Sequence, residues 1–170
     1  MRIVIGSDHA GFALKQDIAV YLKGLSYEVL DLGPDNADPV DFPDYAEAAG
    51  LAIQEGQAER GILICGSGVG VSVAANKIPG IRAAVCHDVY SAHQSVEHDD
   101  VNVLALGAQI IGPAVAHELV QAFLGASFSG KENHRRRVEK IKAMEVRHAD
   151  KAKEQPAKER EKHEASKKSL

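Results

Sequence analysis

The chain has 170 residues, 45% of them hydrophobic, and its 20 Lys and Arg against 24 Asp and Glu give a formal net charge of -4. That is enough chain for one domain with a real core, and the charge gives no reason to expect a nucleic-acid partner. No apolar run approaches the roughly 20 residues that a membrane-spanning helix needs, so no membrane role is expected.

Arg2–Gly6 reads as a short apolar strand, with no basic and apolar leader before it to mark a signal peptide. Ser7-Asp8-His9-Ala10-Gly11 is the polar loop at its carboxyl end. Leu14, Ile18, Tyr21, Leu22 and Leu25 then recur on one face of a first helix. Tyr27–Leu32 is a second strand, and Gly33–Asp41, with Pro34 and Pro39, is a turn-rich loop. A second helix starts at Asp41 or Phe42, with Pro43 in its first turn, and stops near Gly56.

Ile62–Gly80, ILICGSGVGVSVAANKIPG, is the stretch around which the rest makes sense. Ile62–Cys65 is an apolar run of the kind a strand buried on both faces gives. Gly66, Gly68 and Gly70 follow at alternate positions and feed a small-residue helix, Val71–Lys77. A strand that breaks into a Gly-rich turn and enters a helix leaves backbone N–H groups unpaired, which suits an anion or a developing oxyanion. Cys65 stands where the loop begins, and a thiol beside a helix N-terminus is favoured as the thiolate. The residues alone leave Cys65 open between a reactive thiol and one more small hydrophobe of a buried strand. Cys86 closes a similar strand, Ile81–Cys86, with no Gly-rich loop after it, and reads as core. The pair lacks CxxC spacing, which fits reduced thiols in a cytoplasmic protein.

A fourth helix runs from Asp88, its N-cap, to Glu97; His98-Asp99-Asp100 is then a polar loop before a fifth strand, Val101–Leu106. Gly112-Pro113 opens a helix that carries Val115, Leu119, Val120 and Phe123 and ends at Gly125, and a last helix spans about Asn133 to His148. His87, His93 and His98 sit at neither HExxH nor finger spacing, so no metal or other cofactor is expected. The glycines at 66, 68 and 70 do not make the GxGxxG of a dinucleotide fold. From 150 to 170 the chain turns to Lys, Arg and Glu with almost nothing apolar, a charged and flexible tail behind a domain of residues 1–149.

Strands alternating with helices at this spacing predict a doubly wound, Rossmann-like αβα sandwich on a parallel sheet of about five strands. Ligands in such sheets sit outside the carboxyl ends of the strands. That rule gathers Asp8, His9 and Cys65 to Gly70, but it does not place His98, which has to arrive from elsewhere, for instance from a second subunit.

Gly6-Ser7-Asp8-His9-Ala10-Gly11-Phe12, Cys65-Gly66-Ser67-Gly68-Val69-Gly70, and Ala74-Ala75-Asn76-Lys77 with Gly80-Ile81-Arg82-Ala83 together resemble the B-type ribose-5-phosphate isomerases. That ribose/galactose isomerase family includes the allose-6-phosphate and galactose-6-phosphate isomerases, and the likeness runs unbroken over roughly residues 1–147. It implies a metal-free aldose–ketose isomerase of the pentose phosphate pathway, a homodimer or tetramer with active sites at the subunit interface. Cys65 matches the family's base, and His98, contributed across the interface, its ring-opening acid/base. Asp8 and His9 match its sugar- and phosphate-contacting pair, Gly66, Ser67, Gly68, Val69 and Gly70 its anion-holding loop, and Arg137 a phosphate-binding arginine. Ser67 has two readings, a proton shuttle between the sugar oxygens or a cap on the following helix.

Three positions depart from the pattern. Asp99 stands where family members carry Asn, and Gln109 and Asn133 stand where some carry phosphate-binding arginines. Arg135 and Arg136, beside Arg137, are the candidates to replace those lost guanidinium donors. The substrate implied is ribose 5-phosphate. The alternatives are a six-carbon sugar phosphate such as allose or galactose 6-phosphate, and a phosphate-binding module without catalysis, which needs neither a strand-end thiol nor a paired acid/base.

Overall fold

The computed structural model describes residues 1–154. Five strands alternate with helices in the order β1 (Arg2–Ser7), α1 (Phe12–Gly24), β2 (Glu28–Asp31), α2 (Phe42–Gln54), β3 (Arg60–Cys65), α3 (Val69–Ala75), β4 (Ala83–Val85), α4 (Val89–Asp99), β5 (Val103–Gly107), α5 (Pro113–Gly125) and α6 (Glu132–Glu154). The strands pair in the order β2-β1-β3-β5-β4, each pairing parallel. The doubly wound αβα sandwich expected from the alternation is the fold observed. Among the described residues no helix is long and apolar enough to cross a membrane.

The apolar runs of the central strands are apolar because both of their faces are covered. Alternate side chains go to opposite layers. Ile3, Ile5, Ile62, Ile64, Leu104 and Leu106 pack with α1, α4 and α5. Val4, Leu63, Cys65, Val103 and Ala105 pack with α2 and α3. Connections leave β1 toward β2 on one side and then reach β3 on the other, so the winding reverses between β1 and β3. Ser7 pairs with Ile64 there, and Cys65 pairs with Gly107 of β5, so three strand ends meet at one edge.

Several boundaries differ from the pattern-based reading, each for a local reason. α3 begins at Val69 rather than Val71, because Gly68 adopts a left-handed φ of 81° and turns the chain straight into the helix. β4 is shorter than Ile81–Cys86. Its approach is held instead by the Asn76 side chain, which accepts from the Ala83 N–H at 2.9 Å and donates to the Ala83 carbonyl at 2.8 Å. α4 continues through His98 and Asp99 and ends on Asp100, at φ 53°. Those two residues lie in a helical turn, not in a loop, since no glycine or proline stops the helix earlier and Asp tolerates the left-handed cap. α6 starts at Glu132 and passes beyond His148 to Glu154, across the expected domain boundary at 149, and residues 155–170 of the expected tail lie outside the described ones.

One apolar-looking face hides a charge. Lys15 of α1 is fully buried, with Nζ 2.6 and 2.8 Å from the Asp31 carboxylate oxygens and 5.7 Å from the centre of the Phe12 ring. Asp31 also accepts the Gly33 N–H, and the Gly33 carbonyl accepts the Ser7 N–H, so the pair braces the loop beside the end of β1. Removing one partner of a buried pair strands the other charge and costs about 3–5 kcal/mol. Because the Asp31 side chain is about one-third exposed, Asp31→Asn is expected near the lower end of that range. Lys15→Met, which keeps the stem and removes the charge, is expected to cost clearly less. Urea unfolding of both variants checks this, and equal losses would show that the ammonium is not the strained member.

Candidate functional site

At the carboxyl edge, one further step of the β1–β3 register sets Asp8 alongside Cys65. The Asp8 N–H donates to the Ile64 carbonyl at 3.2 Å, and its carboxylate accepts the Gly11 N–H at 2.9 Å. Asp8 is therefore buried and aligned by its own turn at the start of α1. His9, next to it, is exposed, with Nδ1 3.3 Å from the Val40 N–H.

Cys65 is 4% exposed, and its Sγ accepts the Gly68 N–H at 3.1 Å. The loop that makes this bond fits only because it carries glycines. A Cβ on Gly68 would stand 3.0 Å from the Leu106 backbone, in a conformation that already needs φ above zero. The end of β5 closes on the same loop: Ala108 N–H donates to the Cys65 carbonyl (2.9 Å) and Gln109 N–H to the Gly66 carbonyl (3.0 Å). The Gln109 side chain lies against Gly66, so the structure does bring Gln109 to the Gly-rich loop. Ser67 Oγ accepts the Val69 N–H at 3.3 Å, a local turn just before α3, whose N-cap is Gly68. His87, which has no metal-ligand spacing, has a structural part here. Its Nε2 accepts the Gly107 N–H at 3.1 Å and ties the end of β4 to the end of β5.

The second set of candidates lies elsewhere. His98 and Asp99 end α4, just before β5 begins, whereas Gly107, paired with Cys65, ends β5. The strand between them spans about 13 Å at its usual rise, so the two sets face opposite edges of the sheet. Asn133, Arg135, Arg136 and Arg137 lie on the first turns of α6 and are exposed. Arg135 is tied to the Gly130 carbonyl at 2.7 Å, and the start of α6 is anchored by Ser129, whose N–H donates to the Glu97 carbonyl.

One residue of this second set escaped the sequence reading. His134 is 5% exposed and packs its ring on that of His98, with centroids 4.1 Å apart and planes 39° apart. Ser129 Oγ is 2.6 Å from its Nδ1. The available signal was helical spacing, since His134 and Val138 are the two buried positions of the exposed basic run.

Chemically, the carboxyl edge offers a thiol held by a backbone donor, a carboxylate, an imidazole and a turn open to an anion. The amino edge offers a second imidazole pair and guanidinium groups. Among the described residues no three His, Cys, Asp or Glu side chains converge as metal ligands.

Comparison with known proteins matches the ribose/galactose isomerase family model over residues 3–141. Ribose-5-phosphate isomerase B of Escherichia coli is 47% identical over 146 residues, 86% of this chain and 97% of that protein. D-erythrulose-4-phosphate isomerase of Pectobacterium atrosepticum is 44% identical over 132 residues, 76% of this chain and 86% of that one. Among solved structures, the Clostridium thermocellum ribose-5-phosphate isomerase B superposes with a TM-score of 0.85 at 47% identity, covering 87% of this chain and 99% of its own. The Mycoplasma genitalium enzyme with bound ribulose-5-phosphate does so at 0.81 and 38% identity, covering 85% and 96%.

The buried imidazole makes a pH prediction. His134 is held below the ordinary 6.5, first by burial and then by the neighbouring His98, Lys131 and Arg137, with Glu97 opposing. The unfolded chain thus binds a proton as pH falls below about 6.5 while the folded chain resists it, so stability is lost as pH falls from there through the folded value. Melting temperature of the wild type is expected to fall more steeply between about pH 6.5 and 5 than that of His134→Gln. Parallel curves would contradict the assignment.

Proposed function

The chain belongs to the ribose/galactose isomerase family, and from that premise we propose that it interconverts ribose 5-phosphate and ribulose 5-phosphate through an enediolate, in sites shared between two copies of the chain. The observation that carries the reading is the thiol of Cys65, buried at a strand end with a backbone N–H directed at its sulfur. A donor aimed at Sγ solvates a thiolate better than a thiol. As thiolate, Cys65 removes the proton from C2 of the open-chain aldose. Backbone N–H groups of residues 66–70 hold the enediolate oxygen. Cys65 then returns the proton to C1, a proton passes from O2 to O1, and the ketose forms.

His98 moves the proton at the ring oxygen when the furanose opens, with Asp8 assisting. It acts in the site of a second copy, because within one chain it faces the other edge of the sheet. Val69, Val73 and Ile110 around the Cys65 loop are exposed, as are Val89 and Tyr90 on α4 and Ile141 and Met144 on α6. A second copy covers such apolar groups. Arg137, with Arg135 or Arg136, takes the phosphate, and His9 contacts it from the carboxyl edge. Ser67 holds the turn just before α3. Asp99, Gln109 and Asn133 line the pocket without adding cations. The activity resides in residues 1–149, in the cytoplasm, and uses no cofactor. A relative that acts on a four-carbon sugar phosphate, at 44% identity, makes chain length the open variable of specificity.

Cys65→Ala is expected to abolish turnover of ribose 5-phosphate in a metal-free coupled assay while the protein folds normally; retained activity removes the thiolate base. Cys65→Ala chains, inactive alone, and His98→Asn chains, left with only the slow turnover of spontaneously opened ribose 5-phosphate, are expected to recover about one quarter of wild-type activity when randomly mixed. Half of the dimers are then mixed, with one of two sites intact. No recovery would place both residues in one chain's site.

A further inference from the structure

Arg82 belongs to the Gly80-Ile81-Arg82-Ala83 run and has no part in the chemistry above, yet its guanidinium reaches the end of α4, with one nitrogen also 3.3 Å from the Gly80 carbonyl. Its Nε donates to the Asp100 carbonyl at 2.7 Å, and a terminal nitrogen bonds the Asp100 carboxylate at 2.6 Å. Its backbone is engaged as well. The Arg82 N–H donates to the Asn102 side-chain oxygen at 2.8 Å, and the Arg82 carbonyl accepts the N–H groups of Asn102 and Val103. The Asn102 amide returns a bond to the Gly80 carbonyl at 2.9 Å.

Asp100 is also the residue that ends the helix, with a left-handed φ of 53°. The guanidinium therefore grips the one residue whose backbone decides how the last turn of α4 leaves the helix. His98 and Asp99 sit in that turn, and the Arg82 side chain is 17% exposed against 41% for Asp100, so the guanidinium end of the grip is the shielded one. Asp99 and Arg82 line one cleft of about 420 Å³ with Ile141 and Glu145 of α6. Glu145 bonds the Gly80 N–H at 3.0 Å through both oxygens. The turn is thus packed between the 80–82 segment and α6, and the Arg82 clamp fixes it from the strand side.

We propose that Arg82, through Asp100, is a positioning residue that sets the orientation of His98 for opening the sugar ring. The inference rests on the ring-opening role of His98 given above. A misplacement of about 1 Å in a proton-transferring group costs up to about 100-fold in rate, while a substrate that has no ring to open does not feel it.

The test compares Arg82→Lys and Asp100→Asn with wild type on ribose 5-phosphate and on a four-carbon aldose phosphate, which stays open-chain. Asp100→Asn keeps a residue that tolerates the left-handed cap and removes only the charge, so it stands if the Arg82 variant fails to fold. Expected is a loss in kcat of about 10- to 100-fold on the pentose phosphate and less than about 3-fold on the four-carbon substrate, with KM little changed. On a His98→Asn background the same changes are expected to cost nothing further on the pentose phosphate. Equal loss on both substrates, no loss on either, or full additivity with His98→Asn would overturn the proposal. If His98→Asn itself fails to distinguish the two substrates, the ring-opening reading falls, and the positioning role falls with it. If it does distinguish them and the clamp variants do not, only the positioning role is wrong.

Discussion

Parallel pairing of β1, β3 and β5 is the constraint on which the rest depends. Strands that run the same way put all their carboxyl ends on one edge, and the winding reverses between β1 and β3 on that edge. Asp8, Cys65 and Gly107 become neighbours through register alone. Any group that ends a helix leading into a strand is sent to the other edge. His98 is such a group, and the division of the candidate residues into two sets follows from topology before any side chain is considered.

The close approach at the carboxyl edge narrows the sequence sharply. A Cβ on Gly107 would meet the Ser67 backbone at 2.7 Å, and one on Gly11 would meet the Ile64 carbonyl oxygen at 2.6 Å. The glycines at this edge are thus required for different reasons: Gly68 for its φ, Gly107 and Gly11 for close contact with neighbouring backbone. Bringing the end of β5 this near the Gly-rich loop directs the Gly68 N–H at sulfur instead of at water.

Most of this edge was legible in the chain. An apolar run, a strand-end cysteine and alternate glycines are local features, and their meaning does not depend on what packs against them. The parts that were not legible all depend on partners distant in sequence. Lys15 lies beside the apolar stripe of α1, and nothing local marks it as buried until Asp31 is brought to it. Asn76 reads as a support of the third helix rather than a ligand group, but what it supports shows only when Ala83 is seen across its amide. His117, which reads as a surface residue, stacks on Tyr21 at 3.9 Å and reaches Asp17 at 2.6 Å. The polar triplet His98-Asp99-Asp100 suggests a loop by composition, but composition does not show that Arg82 holds Asp100 as a helix cap.

The amino edge has a logic of its own. His98 closes α4, His134 opens α6, and their rings touch, while the Ser129 N–H ties the segment before α6 to Glu97. Arg137 lies one turn past His134 and is close enough to lower its proton affinity. In the proposed two-copy site, an imidazole and a guanidinium that serve one substrate would have to keep a fixed separation. Contact of the buried His134 ring with the half-buried His98 ring joins the two helix ends, so in that proposed site both groups would move together rather than apart. Exposed cations on α6 cost little in desolvation in the single chain, and in the proposed two-copy site their attraction for a phosphate would rise as the second copy excludes water around them.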